Sequence, residues 1–224
     1  MNAKLIVMLT HHDKTVVNAK EVFETVKDLP VQCWGFKDVG LPREQMAELL
    51  DAMKAAGKTT YLEVVSYSEE ECMRGAKLAV ELGYDCLMGT IFYPSVWEYL
   101  KKSNIKYMPF VGKVHGSPSV LEGSVAEIID EGRKLAAEGV YGFDILAFRH
   151  VEDPEKLAKE FVGAMEVPVV IAGSINSRER MKFVEDIGAY GFTMGSALFE
   201  KDFVSDGSFR DNLAAVCAMM DSIR

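Results

Sequence analysis

The sequence predicts a single-domain α/β fold: a (β/α)8 TIM barrel with its helices outside and a phosphate-binding site formed by strands 7 and 8. Three observations predict it. Short apolar runs of strand length alternate eight times with longer helical patterns. The stretch Val167 to Glu200, VPVVIAGSINSRERMKFVEDIGAYGFTMGSALFE, carries two Gly-Ser turns, each directly after a strand-like run. The chain's 224 residues suffice for one large core, and no composition shift marks a second domain, so residues 1–224 read as one barrel. Open doubly wound sheets alternate in the same way, but eight units with paired turns favour the closed barrel.

The elements follow in order. Lys4 to Thr10 is the first strand, His11 to Lys14 its loop, and Thr15 to Lys27 the first helix. Val31 to Phe36 is the second strand, ending in Lys37-Asp38. Pro42 suits the first turn of a helix that runs to Ala56 and stops at Gly57. Thr59 to Val65 is the third strand and carries Glu63. Ser68, with Glu71 three residues on, has capping-box spacing, and Gly83 ends that helix. Tyr84 to Met88 is the fourth strand, ending in Gly89-Thr90, and Pro94 to Lys102 the helix after it. Lys106 to Val111 is the fifth strand. The longest loop, Gly112 to Gly123, precedes a helix from Ser124 to Glu138 that Gly139 stops. Tyr141 to Phe148 is the sixth strand, carries Asp144 and runs into Arg149-His150. A helix from Pro154 to Met165 follows. Val167 to Ala172 is a continuous apolar run, as expected of a parallel strand covered on both faces. Ser177 caps a helix to Ile187, and Gly188 stops it. Tyr190 to Met194 is the eighth strand, Ala197 to Phe199 one helical turn, and Phe209 to Ile223 the closing helix.

Gly173-Ser174 and Gly195-Ser196 end strands 7 and 8. Glycine has no Cβ, so backbone N–H groups there can approach an anion closely, and the short helix after Ser196 adds partial positive charge. Arg178 and Arg180 lie one turn into a helix, so the site is expected to work without a fixed positive charge. Replacing Gly195 with valine is expected to block the anion and leave the fold largely intact. The pair IAGSINSRER and GAYGFTMGSALF resembles the phosphate grip of the ribulose-phosphate-binding barrel superfamily. Its members include the N-acetylmannosamine-phosphate epimerases, the barrels of histidine and tryptophan biosynthesis, and the thiazole synthases. The close likeness covers Val167 to Glu200. It implies an aldolase-type barrel and a phosphorylated substrate, and it carries over only the glycine turns, because the epimerases' catalytic Lys and Glu motifs do not align.

Composition narrows the function classes. A net charge of −9 with no basic block argues against nucleic-acid or anionic-membrane binding. Cys33, Cys72, Cys86 and Cys217 show no CxxC pair and read as reduced packing residues of a cytoplasmic protein. The opening MNAKLIVMLTHHD reads as a first strand rather than a signal peptide, and no apolar run is long enough to span a bilayer. The expected partner is a phosphorylated small molecule; a homo-oligomer is compatible with the sequence.

In such barrels the chemistry sits at the carboxyl ends of the strands. All four histidines fall there: His11 and His12 after strand 1, His115 after strand 5, His150 after strand 6. Glu63 and Asp144 are carboxylates inside apolar strands. Alternation puts Glu63 on the face of Thr59 and Tyr61, opposite Leu62 and Val64, and Asp144 opposite Phe143 and Ile145. A carboxylate on an inward face needs a partner, and Lys37 and Lys113 are the candidates. A carboxylate and a lysine facing one phosphosugar suit proton transfer, hence an isomerase, epimerase or lyase. A Schiff-base aldolase using Lys37 or Lys113 is the alternative. No cofactor is indicated. A divalent metal on His11, His12, His115 or His150 with Glu63 or Asp144 ranks lower, since no tight ligand spacing such as HExxH occurs. A non-catalytic phosphometabolite sensor is the third reading.

Overall fold

Eight short strands pair in parallel, each with its neighbour in the chain. In the computed structural model, which describes residues 2–223, they are β1 (Lys4–Met8), β2 (Cys33–Lys37), β3 (Thr59–Val64), β4 (Cys86–Gly89), β5 (Lys106–Met108), β6 (Phe143–Ile145), β7 (Val169–Ile171) and β8 (Gly191–Met194). β8 returns to β1, Lys4 opposite Gly191 and Ile6 opposite Thr193. The last seam, between β5 and β6, is joined by Tyr141 N–H donating to Tyr107 O at 3.0 Å and Asp144 N–H to Pro109 O at 3.1 Å. The fold is therefore the (β/α)8 barrel that the sequence predicts, with β7 and β8 adjacent through Val170–Gly191 and Ile171–Phe192.

The helices form the outer layer. They are α1 (Ala19–Val26), α2 (Arg43–Ala55), α3 (Glu69–Leu82), α4 (Pro94–Leu100), α5 (Val125–Glu138), α6 (Pro154–Ala164), α7 (Arg178–Asp186), the single turn α8 (Ser196–Phe199) and α9 (Phe209–Ile223). Local chemistry sets their ends. Ser68, Ser124, Asp153 and Ser177 each accept a backbone N–H at the start of a helix, and Ser124 with Glu127 completes a capping box. Alternation along the strands divides the apolar side chains into two layers. Ile6, Met8, Cys33, Tyr61, Cys86, Met88, Met108 and Val170 fill the barrel. Leu62, Val64, Phe143 and Ile145 face the helix shell with Trp34, Phe36 and Phe161. Glu63 and Asp144 thus point inward, as their strand neighbours require. No helix among the described residues is long and apolar enough to cross a membrane.

Three segments differ from expectation. The loop after β1 is a hairpin, Thr10–His11 against Lys14–Thr15, so α1 starts at Ala19 rather than Thr15. Thr15 is held out of the helix by its backbone, which pairs with Thr10 and donates N–H to Val39 O at 2.9 Å, while its Oγ1 donates to Lys37 O at 2.8 Å and accepts Lys37 N–H at 3.0 Å. The long loop after β5 also folds as a hairpin, Lys113–His115 against Val120–Glu122. The sixth strand stops at Ile145, because Leu146 leaves extended geometry (φ −81°, ψ 49°) for a 3-10 turn at Ala147–Arg149.

The seam gives a stability test. A Cβ on Gly142 would lie 2.2 Å from Pro168 O and 2.9 Å from Met108 Cε. Gly142→Ala should destabilise by about 1–3 kcal/mol, the usual range for overpacking. Gly163, exposed in the last turn of α6, meets nothing within 4 Å of such a Cβ, so Gly163→Ala should stabilise by about 0.5–1 kcal/mol. Denaturant melts of both variants check the pair; equal effects would contradict a closed, tight seam.

Candidate active site

The carboxyl ends of the strands open onto a cavity of about 320 Å³. One side is ionic. Lys37, the last residue of β2, and Glu63 of β3 are direct cross-strand partners. Lys37 Nζ lies 3.9 Å from Glu63 Oε2 and donates to Asp13 Oδ1 at 3.0 Å. Asp13 reaches inward because His12 (φ 48°) and Asp13 (φ 59°) form a left-handed two-residue turn at the hairpin tip. Burial opposes the charge on Lys37, but Glu63 and Asp13 outweigh it and raise its pKa above the ordinary lysine value. Burial also opposes the charge on Asp13, yet Lys37's charge and hydrogen bond hold that carboxyl below its ordinary range.

Asp144 lies fully buried in the barrel. Neither carboxyl oxygen has a hydrogen-bond partner of ordinary geometry. Burial first, then the Glu63 charge, pushes its pKa well up, against smaller opposing effects of Lys37, Arg149 and a weak contribution from the Gly89 backbone. Burial thus favours the neutral form of the Asp144 carboxyl.

The other side of the cavity is formed by the two Gly-Ser turns. Gly173 (φ 77°) and Ser174 (φ 61°) are both left-handed, and Gly173 N–H donates to Thr193 Oγ1 at 3.4 Å. Gly195 precedes α8, with Ser196 and Ala197 on the cavity wall. Two guanidinium groups join them, which corrects the expectation of a site without fixed positive charge. A Cβ on Gly173 would lie 2.7 Å from Arg149 Nε, so Arg149 packs against that turn. Arg180 curls back from α7, donating to Ser174 O and to Asn176 Oδ1, with its guanidinium 4.9 Å from the centre of the Phe148 ring. Arg178 points away, to Ser222 Oγ at 3.3 Å. The expectation for Gly195→Val also fails. Its Cβ would lie 2.7 Å from Thr10 O and 2.9 Å from Met8 O, so the substitution disturbs β1 itself.

The cavity thus gathers Lys37, Glu63, Gly173, Ser174, Gly195 and Ser196, with Asp144 in the barrel within electrostatic range. It does not gather Lys113, which is exposed on the second hairpin. His115 is exposed there too, 3.2 Å from Glu122 on the opposing arm. His150 is buried but structural: Nδ1 accepts Asp153 N–H at 3.2 Å, leaving Nε2–H to donate to Gly123 O at 2.8 Å. His11 stands at the rim, half-buried against Phe199 and His12. Asp13, Arg149 and Glu200 line the cavity without having been singled out in the sequence, and Arg180 lines it after having been set aside there. Only Asp13 and Arg149 carried a local signal, each following a strand at its carboxyl end.

No protein-family model and no curated protein sequence matches the chain. Its fold is similar to several solved barrels. A native KDPGal aldolase structure shares 14% identity at a TM-score of 0.70, covering 98% of this chain and 95% of that one. Orotidine 5'-phosphate decarboxylase from Pyrococcus horikoshii OT3 shares 12% at 0.70, covering 98% and 99%. The N-acetylmannosamine-6-phosphate 2-epimerase from Clostridium perfringens shares 13% at 0.63, covering 88% and 87%. All three are (β/α)8 barrels, and at these identities the likeness is one of fold.

Buried Asp144 and half-exposed Asp13 predict opposite pH behaviour. Asp144 has a raised pKa in the folded state, so stability present below about pH 4, the unfolded carboxylate value, is lost as pH rises through the folded value. Asp144→Asn should therefore melt above the wild type at neutral pH, with the gap closing toward pH ~4. Asp13 has a lowered pKa, so its contribution is present above about pH 4 and is lost as pH falls through the folded value. Asp13→Asn, which tolerates the left-handed turn, should melt below the wild type at neutral pH and converge with it in acid. Parallel melting curves across pH for either variant would contradict these assignments.

Proposed function

We propose that the chain is a cytoplasmic enzyme acting on a small phosphorylated sugar or related metabolite by acid–base chemistry, as an isomerase, epimerase or lyase. One observation carries this reading: a single cavity holds the Lys37–Glu63 pair on one wall and the paired glycine turns with two arginines on the other.

The turn wall suits a phosphoryl group. It offers backbone N–H groups, the hydroxyls of Ser174 and Ser196, and Arg149 and Arg180 as charge-assisted donors. The ionic wall suits a carbonyl and its neighbouring C–H. Lys37, kept protonated by Glu63 and Asp13, stabilises the oxyanion that develops when a proton leaves the adjacent carbon. Glu63 is the base in this scheme, and Lys37 then returns a proton to the intermediate. Burial favours the neutral form of Asp144, and in that form it adds no charge to oppose the enolate. An imine mechanism needs an uncharged lysine amine; the raised pKa of Lys37 favours acid–base chemistry over the Schiff-base alternative. The similar barrels are aldolase, decarboxylase and epimerase, which supports an enzyme, and two bear a phosphorylated compound in their names.

A thermal-shift screen of phosphorylated metabolites beside their unphosphorylated counterparts tests the substrate class, since a ligand raises apparent stability by mass action. Hits are expected among the phosphorylated compounds only. With a hit in hand, Arg149→Gln and Arg180→Gln should each weaken affinity about tenfold or more, as loss of a charged hydrogen bond does. Glu63→Gln should bind normally and lose roughly 10²-fold or more in turnover. Saturable binding without turnover in the wild type would favour a sensor, and hits confined to unphosphorylated compounds would overturn the substrate class.

A further inference from the structure

The turn that sends Asp13 into the cavity also gathers a second group of side chains at the rim. In an extended strand, neighbouring side chains point to opposite faces. The left-handed step at His12 (φ 48°) instead brings its ring back over His11, with centroids 3.7 Å apart and planes 32° from parallel. His11 also stacks on Phe199 of α8, centroids 5.6 Å apart. The next residue, Glu200, places Oε1 3.4 Å from His11 Nε2. That approach is out of line for a hydrogen bond, so Nε2 is enclosed without a hydrogen-bond partner. A buried polar atom left in this state calls for an explanation. One ligand atom each from His11, His12 and Glu200 lie within 4.8 Å of one another.

We propose that His11, His12 and Glu200 bind one divalent first-row transition-metal ion at the rim of the cavity. Two imidazoles and one carboxylate match zinc, cobalt, nickel or ferrous iron, whereas magnesium and calcium favour all-oxygen sets. Metal–ligand bonds of about 2.0–2.2 Å hold neighbouring ligand atoms roughly 3–3.5 Å apart, so modest side-chain rotations close the group. Three protein ligands leave coordination positions open. Glu200 itself lines the cavity, which places those positions beside any oxygen-bearing molecule bound there. The site requires neither a phosphate nor turnover, so it stands or falls apart from the acid–base reading. The ligand set differs from the one expected from sequence: His115 and His150 have other partners, and Glu200 supplies the carboxylate in place of Glu63 or Asp144.

Metal-stripped, untagged full-length protein titrated with Co²⁺, followed by visible absorption and calorimetry, tests the proposal. One ion per chain is expected, displaced by Zn²⁺, with a rise in melting temperature. His12→Gly removes an imidazole at a backbone position that favours glycine, so its metal-free form should melt no lower than the wild type. Its Co²⁺ affinity should fall on the order of tenfold or more, as should that of Glu200→Gln. His115→Ala, which removes the His–Glu pair on the other hairpin, should bind like the wild type. Absence of stoichiometric binding to the wild type, affinity unchanged in either His12→Gly or Glu200→Gln, or affinity lost in His115→Ala would overturn the site.

Discussion

Lys37 is the residue on which the mouth of the barrel depends. Its side chain is largely withdrawn from water, and a lone ammonium there would lose its proton or unfold the site. Two carboxylates prevent this. Glu63 reaches it because β2 and β3 pair in the register Lys37–Glu63. Asp13 reaches it from the hairpin after β1, whose Thr15 also holds the Lys37 backbone through both N–H and C=O. A third carboxylate, Asp144, would add to the negative charge, and burial together with the Glu63 charge raises its pKa, favouring the neutral form. Arg149 acts across the cluster, favouring the charge on Asp13 while opposing that on Lys37. The pair is thus set by strand register and one hairpin, and neither carboxylate can be removed without altering the lysine.

Much of the frame was legible in the sequence because its signals are local. Apolar runs marked the strands, Ser68 and Ser124 marked helix starts, and Gly83 and Gly139 marked helix ends in left-handed geometry. The inward direction of Glu63 and Asp144 followed from period-two alternation alone. Position along the barrel axis was legible too, since every histidine does lie at the carboxyl end of a strand. Radial position was not. Lys37 and Lys113 both follow apolar strands, but one closes a barrel strand and the other opens the first arm of a hairpin. Arg180 looked remote because it sits within α7; it reaches the cavity only because its side chain folds back over the first turn, onto Ser174 and Phe148. The crowding at Gly195 comes from carbonyls of Met8 and Thr10, residues at the far end of the chain that become neighbours only when β8 closes on β1.

The hairpin after β1 shows how backbone strain can serve two ends. A two-residue turn with both residues left-handed is most easily built from Asn-Gly or Gly-Gly. Here His12 and Asp13 occupy it, and such non-glycine positions carry strain on the order of 1–3 kcal/mol each. Strain of this kind persists only where the surroundings over-determine it. Thr15 anchored to Lys37, Thr15 N–H donating to Val39 O, and Asp13 on the Lys37 ammonium supply that determination from one side. From the other, Phe199 stacks on His11, whose ring in turn packs on that of His12. A glycine turn would relax the backbone but remove the carboxylate from Lys37 and the second ring from His11. The strained pair therefore couples an inner ionic cluster to an outer group of stacked imidazoles through two consecutive residues, so any movement of the turn tip shifts both together.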